Sequence, residues 1–309
     1  MSNRKVFHIY KGDHNKSSRI ISQCSLIKSE MLSSTTTKKL NLKNLRKILN
    51  KNDVYIFHCQ SSLIYLFFSL FFLNTCQVRY DIHDYNEYNF SKGFYFNFRV
   101  LVLSFFEYCL IPFLRICNVS NGNKFLYNNK GYVFKNVPLS NEFLNTHEKT
   151  KSFVFFGTTE RCPFSLFPKF SSINSDNPSE LSIYGMFDDR ILKYAKDNNI
   201  SYFGEYSPLD MSFLSSYKFS LIYHPSTKLK NMRNSLPNKF FQSIQYNLNI
   251  CVSENFAEII NFCKVNNIPC HIIDEDTDFA SLKYVPYEFD FESFQRENNL
   301  EYLKFVENQ

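Results

Sequence analysis

Residues 151–161, KSFVFFGTTER, open the second half of the chain with a β-rich apolar run that ends on Gly157. The same pattern, an apolar run closed by a turn residue, recurs along this half at 181–184, 200–203, 219–223 and 250–253. Helical patterns lie between these runs, most clearly at 189–198 and 239–247. Strands that alternate with helices predict βαβ units and a parallel sheet. Ligands of such sheets gather at the carboxyl ends of the strands.

The first half of the chain shows a similar alternation. Predicted strands lie at 6–10, 54–58, 78–82, 117–120 and 132–137, and predicted helices at 40–49, 63–73 and 100–114. A polar stretch without periodicity, 138–151, separates the two alternations. We therefore predict two α/β domains, residues 1–145 and 146–290, that face each other across a crevice. Residues 291–309 are predicted to form a C-terminal helix that packs back towards the first domain.

The composition and the charge distribution limit the classes of protein to which this chain can belong. A length of 309 residues fits two domains, and 44% hydrophobic with 21% charged residues excludes a disordered or collagen-like chain. The net charge of +6 is uneven, because residues 1–150 hold 20 basic and 9 acidic residues while residues 151–309 hold 15 and 20. The basic half should face an anionic partner, either the cytoplasmic membrane surface or a nucleic acid.

The cysteines and the N-terminus indicate a cytoplasmic protein. Nine cysteines are an odd number without CxxC spacing, which favours reduced thiols over a disulfide framework or a zinc site. Residues 1–14 turn polar after a short apolar run, so no signal peptide is predicted.

Two apolar segments raise the question of membrane contact. Residues 63–73 are too short for the ~20 residues needed to span a bilayer, and residues 100–114 contain Glu107 and Pro112. No transmembrane helix is predicted. Either both segments are buried core helices, or residues 94–115 present an aromatic and basic face to the bilayer interface.

Several stretches resemble the GT-B glycosyltransferases, specifically the large retaining group called family 4, or glycosyl transferases group 1. Residues 234–259, NSLPNKFFQSIQYNLNICVSENFAEI, resemble the signature "sLPNKlfEymaaGlPVia" of its donor domain and are the most specific. Residues 151–161, 181–189 and 200–225 resemble earlier strands of that domain. In the first half, VRYDIHDY (78–85) and residues 117–139 resemble parts of the acceptor domain.

The resemblance implies a GT-B fold of two Rossmann-like domains and a hexosyltransferase. Its donor would be a nucleotide sugar, most often a UDP-sugar, and its acceptor a glycan on a lipid diphosphate. Such enzymes assemble O-antigen lipopolysaccharide, capsule or another surface polysaccharide, with retention of configuration and without a metal or other cofactor. The protein would then be cytoplasmic, in peripheral contact with the anionic inner membrane, and would not bind nucleic acid.

The same resemblance implies which residues bind the donor, and their chemistry fits. A helix N-terminus offers free N–H groups and a positive dipole end to a diphosphate, and the LPNK sequence supplies such a start because proline suits the beginning of a helix. The family has two glutamates eight positions apart around this signature, where this chain has Asn234 and Gln242. The predicted donor-binding residues are Gly157, Arg161, Gly185, Gly204, Asn234, Asn238, Lys239 and Gln242.

His83 and Asp84 are the predicted catalytic residues, because they follow a strand whose end should face the crevice. In the family a histidine at this place lies close to the sugar and the acceptor, and a neighbouring carboxylate can orient or charge it. His58 is a weaker candidate of the same kind, and His224 is interpreted as a loop residue near the donor.

Other functions remain as alternatives. The missing glutamates favour a catalytically degenerate GT-B subunit that binds a sugar nucleotide or partner without turnover. The basic segment 38–47 is compatible with nucleic-acid binding, although the aromatic residues are not interleaved with it. Residues 274–276, DED, match the metal-binding DxD pattern of other glycosyltransferases, but a solvated acidic loop is favoured. No Walker A, GxGxxG or GxSxG motif occurs.

Overall fold

The chain consists of two units, each built on a six-stranded sheet. The computed structural model describes residues 4–11, 18–33, 40–83, 93–118, 131–135, 137, 148–171, 181–207, 210–224 and 233–307. The first unit comprises Met1–Asn136 together with Glu292–Gln309, and the second comprises Val137–Phe291. The described strand pairs are parallel in both sheets.

The first unit has the strand order β2-β1-β3-β4-β5-β6. Its strands are β1 (Val6–Tyr10), β2 (Glu30–Ser33), β3 (Val54–His58), β4 (Val78–Ile82), β5 (Arg115–Asn118) and β6 (Tyr132–Val133). Its first four helices are α1 (Ser18–Ile27), α2 (Leu42–Ile48), α3 (Leu63–Ser69) and α4 (Gly93–Leu110). Every residue of the central strands β3 and β4 is buried, as is typical of parallel strands covered on both faces.

The last helix of the chain belongs to the first unit. The Arg79 Nε donates to the Phe305 carbonyl at 3.1 Å. The Asn298 side chain accepts from the Lys135 N–H at 2.7 Å and donates to the Lys135 carbonyl at 3.1 Å. These contacts join the C-terminal helix, numbered α9 below, to β4 and to the segment after β6.

The second unit has the strand order β12-β11-β10-β7-β8-β9. Its strands are β7 (Lys151–Thr158), β8 (Leu181–Met186), β9 (Ser201–Tyr202), β10 (Tyr217–Ile222), β11 (Asn249–Val252) and β12 (Cys270–Ile272). Its helices are α5 (Phe167–Ser171), α6 (Asp189–Asp197), α7 (Asn238–Gln245) and α8 (Ala257–Val265), and α9 (Phe291–Glu307) follows.

Phenylalanine fills the core of the second unit. The ring of Phe153, on the central strand β7, stacks on Phe219 at 4.7 Å between centroids and meets Phe170 and Phe279 edge-on at 5.2 and 5.6 Å. Part of the chain's content of 35 phenylalanines is therefore used in core packing. The eight cysteines whose side chains the structure describes are free thiols.

Several predicted element bounds are wrong. The predicted helix 63–73 ends at Ser69, and the predicted helix 100–114 begins at Gly93 and ends at Leu110, where a 3₁₀ turn containing Pro112 follows. Among the described residues of the predicted strand 132–137, only Tyr132 and Val133 belong to a strand. Pro112 explains why the predicted helix 100–114 ends early, at Leu110, because a proline lacks the N–H and its ring ends an α-helix.

Candidate functional site

Three predicted glycines lie together at the carboxyl ends of β7 and β8 and just beyond β9. Gly157 and Gly185 are paired neighbours across the sheet, and the Gly185 N–H donates to the Gly204 carbonyl at 2.8 Å. A Cβ atom at Gly185 would stand 1.8 Å from the Gly157 carbonyl oxygen, and its φ is +134°. Only glycine fits this position, so the bare backbone at the strand ends is a requirement of the fold.

Lys239 reaches these strand ends from the first turn of α7. Its Nζ lies 4.2 Å from the centroid of the Phe155 ring and 3.4 Å from the place a Cβ would occupy at Gly157. Burial, together with the charge of Arg161, lowers the pKa of Lys239 from its ordinary 10.5 to about 7. The structure thus brings Lys239, Gly157 and Arg161 together, with two cationic side chains on one small region.

Arg161 comes from the turn that follows β7. Residues Thr159–Arg161 form a single 3₁₀ turn directly after that strand, and the Thr159 hydroxyl accepts from the Asp188 N–H at 2.8 Å. Asp188 in turn caps α6 by accepting from the Ile191 N–H at 2.9 Å. The turn that carries Arg161 is therefore tied to the start of the next helix.

The start of α7 carries the remaining predicted donor residues. Pro237 is the N-cap, and its own side chain makes no capping hydrogen bond to the helix. Asn238 and Gln242 share one face at a spacing of four residues, and Gln242 is buried. Asn234 is half-buried in the turn before the helix. The Ser243 hydroxyl donates to the Ser220 hydroxyl at 2.7 Å and fixes α7 on β10.

A second polar cluster lies at the carboxyl ends of β3 and β4 in the first unit. His58 ends β3, Asp81 lies in β4 and His83 follows that strand directly. The Asp81 Oδ2 lies 3.1 Å from His58 Nδ1 and 3.2 Å from His83 Nε2. His58 Nδ1 and His83 Nε2 are 3.1 Å apart. The other nitrogen of His58, Nε2, lies 2.8 Å from His8 Nδ1. Asp84, the other predicted catalytic residue, lies outside the described residues.

Helix α1 supplies the counter-charge for this cluster. Arg19 Nη2 donates to Asp81 Oδ1 at 2.5 Å and Nε to Oδ2 at 3.1 Å, and Gln23 Nε2 donates to Oδ2 at 2.8 Å. Although burial opposes it, the Arg19 guanidinium holds the pKa of the Asp81 carboxyl well below its usual range. Burial lowers the pKa of His58 to about 4. For His83, the Cys59 thiol and Asp81 overcome burial and raise the pKa to about 10.

Comparison with known proteins now shows the fold. No family model matches the sequence, and no curated protein matches it. Among solved structures, a glycosyltransferase from Rickettsia africae is 11% identical, with a TM-score of 0.59 over 99% of this chain and 95% of that one. HepE from Anabaena, solved in complex with UDP, is 9% identical, with a TM-score of 0.56 over 98% and 97%. The trehalose-6-phosphate synthase OtsA is 8% identical, with a TM-score of 0.66 over 98% and 95%.

The chain has the GT-B fold. Two Rossmann-like units with six-stranded parallel sheets confirm the predicted fold class. The predicted GT-B donor residues Gly157, Gly185, Gly204, Arg161 and Lys239 gather at one edge of the second sheet.

Sequence reasoning missed part of the first GT-B unit. The sequence pattern does not predict α1, which carries Arg19 and Gln23, and His8 and Asp81 stand inside the predicted strands 6–10 and 78–82. One signal was present: Arg19 and Gln23 stand four residues apart in the apolar run RIISQCSLI, so a helix would place both on one face.

An exposed aromatic surface lies on α3 and α4 and on the turns that directly follow them. Phe67 of α3 contacts Phe106 of α4 with ring centroids 6.2 Å apart, which joins the two helices into one surface. The surface comprises the exposed side chains of Ile64, Phe67, Phe71, Phe94, Tyr95, Phe98, Leu101, Phe105, Phe106, Tyr108 and Phe113. Helix α4 is therefore only half buried: Val100, Leu103 and Leu110 face the core of the first unit, and the opposite face is exposed. Within the described parts of the chain, no helix is both long and apolar enough to span a bilayer.

Proposed function

We propose that this protein is a glycosyltransferase that takes its sugar from a nucleotide-sugar donor bound to the second unit. The observation that carries the proposal is the position of Lys239. Its ammonium group lies beside Gly157, at the carboxyl end of a central parallel strand and in the first turn of α7. A cation, free backbone N–H groups and the positive end of a helix dipole therefore meet at one place, where they would together stabilise an anion. The diphosphate of a nucleotide sugar is such an anion.

Each donor residue has a distinct part in this proposal. Lys239 and Arg161 neutralise the diphosphate as it becomes the leaving group, because charge that develops in the transition state is stabilised by fixed cations. Gly157, Gly185 and Gly204 leave the backbone open to close approach of the donor. Gln242 hydrogen-bonds the ribose hydroxyls through its amide, and Asn234 with Asn238 contacts the sugar side of the site.

The finer assignments rest on the resemblance to family 4 and on HepE, which was solved with UDP, with UDP and glucose, and with UDP-glucose. They make the donor a UDP-sugar and the reaction a hexosyl transfer with retention and without a metal. His83 and Asp84 are the catalytic residues of this proposal.

The acceptor in this proposal is a glycan on a lipid diphosphate, used for O-antigen, capsule or another surface polysaccharide. The aromatic surface on α3 and α4 supports it, because exposed patches of this extent mark contact sites. Lys43, Arg46 and Lys47 are exposed on the adjacent α2, and the Arg46 guanidinium lies 5.8 Å from the Phe72 ring centroid. Apolar rings beside basic side chains fit the anionic cytoplasmic face of the inner membrane.

A donor panel tests the nucleotide-sugar assignment. We expect one of the UDP-, GDP- and CMP-sugars to bind the wild-type protein and to be turned over. Lys239→Ala and Arg161→Ala should each weaken binding at least about tenfold, because a hydrogen bond to a charged group contributes about 1.5–3 kcal/mol. Lys193→Ala, an exposed lysine of α6, is the matched control and should bind as the wild type does. Full affinity in both site variants would refute the site assignment, and no binding of any sugar nucleotide would refute the function.

The same panel separates the second candidate function. Asn234 and Gln242 stand where the family has glutamates, and this difference favours a degenerate subunit that binds a sugar nucleotide without turnover. Binding without release of UDP or transfer to any acceptor would support that alternative.

Vesicle sedimentation tests the membrane contact. Wild-type protein should sediment with vesicles that contain anionic lipid, and the triple variant Phe94→Ser, Tyr95→Ser, Phe98→Ser should remain in the supernatant. Phe164→Ser and Phe203→Ser remove exposed rings of the second unit and should leave sedimentation unchanged. Equal sedimentation of the triple variant and the wild type would refute the contact.

A further inference from the structure

The ligand-type atoms of His58, Asp81 and His83 form a nearly equilateral triangle. Two edges, His58 Nδ1 to Asp81 Oδ2 and His58 Nδ1 to His83 Nε2, are 3.1 Å, and the third, His83 Nε2 to Asp81 Oδ2, is 3.2 Å. Two imidazole nitrogens and one carboxylate oxygen within this distance of one another can share one metal ion.

Asp81 Oδ2 lies at the centre of a crowded group of nitrogen atoms. Asp81 Oδ2 has four nitrogen atoms within 3.2 Å, from Arg19, Gln23, His58 and His83. An ionised carboxyl oxygen offers about two lone pairs. If both rings donated to this oxygen, their N–H groups would also face each other across 3.1 Å. A cation at the centre of the triangle would replace two of the four donors and remove that repulsion.

We propose that His58, Asp81 and His83 bind a divalent transition-metal ion, for which Zn²⁺ is the best fit. Zinc is held by histidine nitrogens at about 2.0–2.1 Å and carboxylate oxygens at about 2.0–2.2 Å in tetrahedral geometry. Neighbouring ligand atoms of such a tetrahedron stand about 3.3 Å apart. The observed edges lie within a few tenths of an ångström of this value. The resemblance to family 4 implies no metal, and the proposal does not rest on the glycosyl transfer.

The three side chains leave the fourth tetrahedral position of the ion open. Two histidines and one carboxylate form a three-ligand set of a kind that zinc accepts in open sites, where a water molecule takes the fourth position.

The surrounding side chains complete the arrangement expected around a metal ligand. With His58 Nδ1 on the ion, its Nε2–H donates to His8 Nδ1 across 2.8 Å. Arg19 Nη2 holds the other carboxyl oxygen of Asp81 at 2.5 Å. Partners of this kind fix the ring tautomer and orient the ligands. If His83 binds the ion through Nε2, its Nδ1–H remains available as a donor. The His83 side chain is 13% exposed.

Metal analysis of the full chain tests the proposal. The protein is incubated with Zn²⁺, dialysed, and measured by mass spectrometry of the metal content. We expect about one zinc per chain and an X-ray absorption shell of nitrogen and oxygen at about 2.0–2.1 Å. A chelator should lower the thermal midpoint of the zinc-loaded wild type. Less than a stoichiometric amount of zinc, or a shell without histidine nitrogen, would overturn the proposal.

Two ligand variants and one control localise the ion. His83→Gln, at the partly exposed strand end, and His58→Gln should each lower zinc affinity at least about tenfold. The chelator should no longer shift the midpoint of His83→Gln, whose fold is checked by circular dichroism. His271→Gln, which removes a histidine of the second unit, should bind zinc as the wild type does. Unchanged zinc affinity in both ligand variants would also overturn the proposal.

Discussion

The low pKa of Lys239 predicts that donor binding weakens steeply in alkaline solution. With a pKa of about 7, about half of the free protein carries the charge at pH 7, about 1 in 11 at pH 8 and about 1 in 100 at pH 9. A bound diphosphate favours the charged lysine and raises its pKa, so binding takes up a proton. The apparent affinity is scaled by the fraction of competent protein, and it should fall by about 50-fold between pH 7 and pH 9.

Calorimetric titration with UDP-glucose, or with the tightest donor of the panel, measures this fall. A nucleotide sugar is suited to the assay because its diphosphate is esterified at both ends and lacks the terminal phosphate ionisation near pH 6. Lys239→Arg stays charged throughout this range and should bind almost independently of pH. Lys239→Met should bind weakly, with no such slope. Lys193→Met, on the exposed side of α6, should keep the wild-type slope.

Arg161 provides a second check of the same reasoning. Its charge is one of the two causes that lower the pKa of Lys239, so Arg161→Gln should raise that pKa and move the onset of the fall to higher pH. An affinity that is equal at pH 7 and pH 9 for the wild type would refute the reasoning. So would a wild-type slope that persists in Lys239→Met, because the titrating group would then lie elsewhere.

Three further predictions concern stability and are measured by urea unfolding. Gly185→Ala should destabilise the second unit by about 3 kcal/mol because the new methyl meets a backbone carbonyl. Gly204→Ala should destabilise it by only about 1 kcal/mol, because Gly204 has open space around it and only its positive φ opposes the change. Equal losses of stability in the two variants would contradict this reasoning. Burial raises the pKa of Glu107, so its protonated form is favoured on folding, and stability declines as the pH rises through that value. Glu107→Gln should therefore stabilise the protein at neutral pH, and a gain that persists in acid would disprove the reasoning. Arg19→Met leaves the Asp81 carboxylate buried without its ion pair and should cost about 3–5 kcal/mol; a cost below 1 kcal/mol would show that the pair is not needed.

The edge of the second sheet that carries Gly157 and Lys239 could be predicted because each of its signals is local. An apolar run that ends on glycine predicts both the strand and its turn, and proline before Asn238 predicts the start of a helix. Parallel strands place their carboxyl ends at one edge of the sheet. Gly157 and Lys239 could therefore be expected to lie close together at that edge, although they are 82 residues apart in the sequence.

The cluster around Asp81 could not be predicted in the same way. Its ion pair joins residues 62 positions apart, and α1, which carries Arg19, has no acidic residue in its first turn and no basic residue in its last turn to indicate its ends. Burial of a charge has no local signature, because it depends on a partner that only the tertiary fold supplies.

The distribution of aromatic residues gives an argument for the membrane contact that composition alone could not. The same residue type is buried in the second unit, where Phe153, Phe155 and Phe156 are at most 2% exposed, whereas on α4 Phe94 is 86% exposed. Helix α4 contains two charged residues, Arg99 and Glu107. The acid is buried against Tyr80 and Gln60, while the base is exposed. The exposed face of α4 therefore combines large apolar side chains with one basic side chain, Arg99, and both support the proposed contact with an anionic bilayer.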